Sequence, residues 1–166
     1  AIIKWINRIL SWEPNARIVL HGVSMGAATV LMASGEDLPG NVKAVIADCG
    51  YTSEWDEFQR EADTLHIPWF PVLNATSVLS KVRDGYDFKQ ASALAQVKKS
   101  RIPTLFIHGS SDELVPYSML GELYAAAACE KEELTVEGAG NSLSSSVAPT
   151  LYWRTVEDFI AKYLDR

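Results

Sequence analysis

The chain has 166 residues, 48% hydrophobic and 22% charged, which suits one domain with a real core and excludes a disordered or fibrous class. A formal net charge of −6 without a basic stripe argues against a nucleic-acid partner. Cys49 and Cys129 are too few for a disulfide framework and lack metal-ligand spacing, so reduced thiols and no metal or other cofactor are expected.

No apolar run approaches the roughly 20 residues that span a bilayer. The chain opens on a helix pattern rather than a leader and without Met, so it reads as a fragment with an unknown upstream segment. A reducing, cytoplasmic setting is the expectation for this portion.

Ile2, Trp5, Ile6 and Ile9 recur at helical spacing and predict an amphipathic helix over 2–11, ended near Pro14. Arg17 to His21 is a short apolar, β-branched run, a strand by length and flanks. Gly22 to Gly26 forms a glycine-rich turn, and Ala27 to Ala33 continues as a helix of small residues stopping near Gly35. Val42 to Ala47 is a second buried strand, ending in Asp48-Cys49-Gly50.

Residues 51–90 break this rhythm. They are rich in aromatics, carry Pro68 and Pro71, and show helical periodicity over Trp55–Leu65 and Val72–Val82. An inserted helical cap is expected there, since insertions sit where loops cross a binding face. Its aromatics Trp55, Phe58, Trp69 and Phe70 either form the cap's own core or line an apolar substrate pocket. Ala91–Lys99 is helical, with Lys98, Lys99 and Arg101 as a solvated end. Pro103–His108 is a strand, Tyr117–Ala128 a helix, Glu133–Val136 a strand and Pro149–Leu164 a closing helix.

Apolar strands alternating with helices predict an α/β fold, a parallel sheet of about four strands covered on both faces. Ligands of such sheets bind outside the carboxyl ends of the strands. That rule singles out the turn after Leu20, Asp48 onward, Gly109 onward and Gly138 onward.

The turn "HGVSMG" contains Gly-x-Ser-x-Gly at Gly22, Ser24 and Gly26. Such glycines let a strand turn sharply into a helix and leave the serine hydroxyl exposed on a strained bend. The Met25 amide, at the helix N-terminus, can stabilise a developing oxyanion. Chance produces this motif in a chain of this length on the order of one time in twenty, so the strand before it and the helix after it carry the weight.

"IHGSSDELVP" places Asp112 just past the third strand, where a carboxylate can orient a base or simply close a turn. Asp48 is a competing acid at the end of the second strand. In "VEGAGNSLSS" the loop after the fourth strand stands where the order Ser, Asp, His would put the base, and Asn141 occupies it. An amide has no titratable group and cannot take a proton from Ser24 near neutral pH. His21, His66 and His108 lie outside that loop and read as packing or surface residues.

"HGVSMG", "IHGSSDELVP" and "GAGNS", in that order, resemble the C-terminal half of an α/β-hydrolase. "ADCGYTSEWDEF" and "LNATSVLSKVRDGYDFKQASAL" are similar to a bacterial serine-hydrolase branch of esterase and peptidase-like members. The resemblance implies Ser24 as nucleophile, Asp112 as acid, the Met25 amide as half of the oxyanion hole and 51–90 as the cap. It also implies histidine, "GAGHS", where this chain has Asn141. Four earlier strands, and the loop supplying the other oxyanion donor, have no counterpart here.

The resulting expectation is a carboxylic-ester or related acyl hydrolase acting on a small-molecule substrate through an acyl-enzyme, with this chain itself nearly inert. The alternative is a non-catalytic scaffold that keeps the cleft. Without the earlier strands, residues 17–21 form an unpaired edge, which predicts either a homodimer or pairing with a complementary N-terminal half.

Overall fold

The elements follow the order α1 (Ile2–Trp12), β1 (Ile18–Val23), α2 (Met25–Ser34), β2 (Val42–Asp48), α3 (Glu54–Thr64), α4 (Trp69–Asp84), α5 (Ala93–Val97), β3 (Thr104–Gly109), α6 (Ser118–Ala126), β4 (Lys131–Val136), α7 (Ser144–Val147) and α8 (Pro149–Leu164). They are taken from a computed structural model that describes residues 1–66, 68–84 and 91–164, without the side chains of Glu61, Trp69, Pro71 and Asp84. Positions 67 and 85–90 of the expected cap, and the Trp69 side chain, therefore lie outside the described residues.

The four strands form one parallel sheet in the order β1-β2-β3-β4. β2 is buried on both faces because its sequence is apolar at odd and even positions alike. Val45 and Ala47 join a core with Ile6, Leu20, Leu31, Phe106 and Leu123, under α1, α2, α5 and α6. Ala44 and Ile46 face the opposite way, against Leu105, Ile107, Tyr152, Val156 and Phe159, under α8. A fully buried Phe such as Phe159 is worth roughly 1.5–3 kcal/mol relative to exposure.

Element bounds differ from the sequence reading where tertiary pairing outweighs local composition. β4 begins at Lys131, two residues before the apolar run, because Lys131 and Glu132 pair with Thr104 and Leu105. β1 runs on through His21 and Gly22 to Val23, pairing there with Ile46, Ala47 and Asp48. α2 starts at Met25, directly behind Ser24. The short helix α7 has no periodic signal in four residues, and the sequence gives no cue for it.

Parallel register brings the carboxyl ends of the strands into line, with Val23 opposite Asp48, Asp48 opposite Ile107, and Gly109 opposite Val136. The segments after all four strands therefore open on one rim of the sheet. β1 is an edge strand whose exposed positions, His21 and Val23, alternate with buried ones.

Candidate active site

Ser24 sits between β1 and α2 with φ 52° and ψ −116°, a region that non-glycine residues enter at a cost of about 1–3 kcal/mol. Two hydrogen bonds hold it there. Its N–H donates to the Asp48 carbonyl at 2.8 Å, and its carbonyl accepts from the Ala28 N–H at 3.1 Å.

The two motif glycines are not equivalent. A Cβ on Gly22 would lie 2.2 Å from the Gly26 carbonyl oxygen, so only glycine allows the bend; a Cβ on Gly26 would meet nothing within 4 Å. Met25 opens α2, where the first N–H groups of a helix have no intrahelical partner, and its side chain is exposed.

Asp112 is buried just beyond β3 and uses both carboxylate oxygens. Oδ1 accepts from the Leu114 N–H at 3.0 Å and the Val115 N–H at 2.9 Å, closing the turn that its residue type favours. Oδ2 accepts from Asn141 Nδ2 at 3.0 Å. His108 Nε2 stands 3.4 Å from the same oxygen while lying 3.0 Å from the Val115 carbonyl, which fixes the proton on Nε2. This buried histidine backs the acid, a contact that the sequence reading missed although its i, i+4 spacing to Asp112 was visible.

Asn141 is oriented by its neighbours. A carboxylate can only accept, so the amide nitrogen faces Asp112, and Oδ1 accepts from the Ser142 hydroxyl at 3.0 Å. The loop reaches Asp112 because Gly109 leaves room for it: a Cβ there would lie 2.2 Å from the Ala139 oxygen. Ala139 in turn accepts from the Ser111 N–H at 3.0 Å.

Ser24 and the 141 loop meet around Cys49. Its Sγ lies 3.8 Å from the Ser142 hydroxyl and is also engaged by the Ser24 and Ser142 backbones. Burial, and then the nearby Asp48 charge, push the Cys49 thiol pKa up, so it rests as a neutral thiol.

The remaining candidates point elsewhere. The Asp48 carboxylate accepts from the Ser144 hydroxyl at 2.9 Å and is hydrogen-bonded by Tyr152, and burial raises its pKa above the ordinary carboxylate value. His21 Nε2 pairs with the Tyr152 hydroxyl at 2.9 Å, on the α8 side of the sheet. His66 is exposed beyond the end of α3. In α3 Trp55 and Phe58 are partly buried and in α4 Phe70 is exposed; α3 is joined to the loop after Asp112 by a hydrogen bond from Arg60 to the Leu114 carbonyl.

A parallel sheet with a strained serine elbow, an acid after β3 and a loop after β4 that contacts this acid defines the α/β-hydrolase class. Residues 3–164 match the prolyl oligopeptidase family, and the chain belongs to it. The Bacillus subtilis protein YqkD is 31% identical over 163 residues, covering 93% of this chain and 53% of the relative. The Arabidopsis thaliana alpha/beta hydrolase domain-containing protein WAV2 is 29% identical over 157 residues, covering 89% and 48%.

Among solved structures, the fold is similar to Pyrococcus horikoshii acylaminoacyl peptidase, with TM-score 0.73, 19% identity, and 99% of this chain and 27% of that one covered. It is likewise similar to an acetyl xylan esterase from Paenibacillus sp. R4, with TM-score 0.69, 18% identity, and 98% and 51% covered. The chain spans about half the length of the curated relatives it matches. The family match and the structural neighbours agree on the α/β-hydrolase fold.

Proposed function

We propose that this chain carries the nucleophile and acid of a carboxylic-ester or related acyl hydrolase, with Ser24 attacking the acyl carbonyl and the Met25 N–H receiving the developing oxyanion. The observation that carries the reading is the hydrogen bond from Asn141 to Asp112, because the third corner of a serine triad is the residue the acid holds. Histidine there would offer one ring nitrogen to Asp112 and the other to Ser24. The asparagine side chain reproduces only the first of these contacts.

On this reading the chain as it stands has a nucleophile without a base and is close to inert. Loss of a triad member leaves roughly 10³–10⁴-fold catalysis over water when the oxyanion hole and binding persist. A fluorophosphonate probe tests both halves. Slow or absent labelling of Ser24 is expected in the natural chain, and labelling faster by at least about a hundredfold in N141H, the low end of what a general base contributes. Rapid stoichiometric labelling of the natural chain would overturn the claim that Asn141 disables it.

A second reading, a ligand-binding scaffold of the same fold, is favoured by the same asparagine, which satisfies Asp112 without chemistry. N141H in a full-length version separates the two. Ester hydrolysis that appears there makes the lesion local, and silence favours the scaffold.

A further inference from the structure

We propose that Asp48 is a positioning residue that braces the serine elbow against the loop carrying residue 141; its importance to chemistry rests on the reading of residue 141 given above. It acts through two groups at once. The main-chain carbonyl of Asp48 accepts from the Ser24 N–H at 2.8 Å, holding the strained turn, while its carboxylate accepts from the Ser144 hydroxyl at 2.9 Å.

Ser144 is fully buried, opens α7, and lies three residues beyond Asn141; its carbonyl accepts from the Ala148 N–H at 3.2 Å. The Asp112 side of the loop is fixed by Asn141 and by Ala139. The Asp48–Ser144 bond ties the α7 end of the loop to β2, the strand whose end also holds the elbow. The next residue, Cys49, extends the brace, with its Sγ lying between the Ser24 backbone and Ser142.

This arrangement explains why an acid placed so close to the serine does not serve as the triad acid. Its oxygens already have donors, from Ser144 and from Tyr152 on α8. A hydrogen bond to a buried carboxylate is stronger than one between neutral groups, and removing its donor strands the carboxylate.

Cys49 reports on the brace directly, because the 141 loop and the elbow cover it, while the partly buried Cys129, near Thr104, serves as an internal reference. The experiment is peptide-resolved thiol modification of the natural chain, S144A, D48N and the neighbouring control S146A. In folded S144A, modification of Cys49 is expected to accelerate by about tenfold or more relative to Cys129, the factor that corresponds to losing such a bond. D48N keeps an accepting oxygen and is expected to hold the ratio near that of the natural chain.

Global loosening would speed both thiols together. An unchanged Cys49 to Cys129 ratio in folded S144A, or an equal rise in S146A, overturns the proposal.

A second arm puts S144A into N141H and reads fluorophosphonate labelling. Labelling is expected to fall by about tenfold or more against N141H alone at equal folded fraction. If N141H never labels, the hydrolase reading fails, while the thiol ratio still decides whether the brace exists.

Discussion

At Asp112 the two carboxylate oxygens face different partners, and that division decides what the sequence could reveal. Oδ1 closes its own turn and Oδ2 holds Asn141, so the side chain that shapes the turn after β3 also ties down the loop after β4. Spacing along the chain put Asp112 just past β3 and Asn141 just past β4, because each follows a strand whose apolar run is plain. It could not show that Asp48 is occupied by Ser144 and Tyr152, since those contacts join residues up to 104 positions apart; the i, i+4 spacing of His108 to Asp112 was visible, but not that the ring turns back onto the carboxylate.

His21 gives a pH prediction at the same scale. Partial desolvation of its ring, which packs on Tyr152 and Trp153, lowers its pKa below 6.5, against a smaller opposing pull from Asp48. A depressed folded-state pKa means that the unfolded chain binds the proton first. The stability His21 contributes is therefore present above about pH 6.5 and is lost as pH falls through the folded value. Denaturant unfolding at pH 7.5 and 5.5 should show a smaller acid-side loss in H21Q than in the natural chain. An identical loss in both would remove His21 as the cause.

Among the elements, the turn from β1 into α2 shows why a motif is coarser than the geometry it marks. Gly-x-Ser-x-Gly treats its two glycines alike, yet only Gly22 sits against backbone, at 2.2 Å for an added Cβ, while Gly26 has open space beside it. G22A should lower stability by at least about 2–3 kcal/mol, at the upper end of overpacking costs, because the obstacle is main chain that cannot step aside. G26A should fold with near-native stability. Thermal or denaturant melts of the pair settle this, and equal losses in both would mean that the elbow is limited by something other than the Gly22 contact.

α1 and α8 were legible from their helical repeat, and the three more apolar strands from short apolar runs bounded by turns. β4 was read short because its first residues are charged, and α7 went unseen because a single turn carries no period.

For the whole molecule, the outstanding feature is the free side of β1. Among the described residues strand pairing reaches it only from β2, and the exposed His21 and Val23 lie on β1, with Trp153 of α8 against the His21 ring. We propose that this edge is completed by another strand, from a second copy of the chain or from a complementary N-terminal half, because unpaired edges recruit partners. Light scattering with hydrogen exchange over residues 18–23 gives the check. Association with slowed exchange at the edge is expected, and a monodisperse monomer with fast-exchanging edge amides would defeat the idea.

The hydrogen bond between Asn141 and Asp112 has a consequence for heredity as well as for chemistry. Asparagine offers Asp112 an N–H much as an imidazole would, so the fold has no reason to rearrange when one replaces the other. Codons for the two residues differ by a single base at the first position. On the proposed reading, gaining or losing the base is therefore one transversion in either direction, and selection would see the change through turnover alone rather than through misfolding.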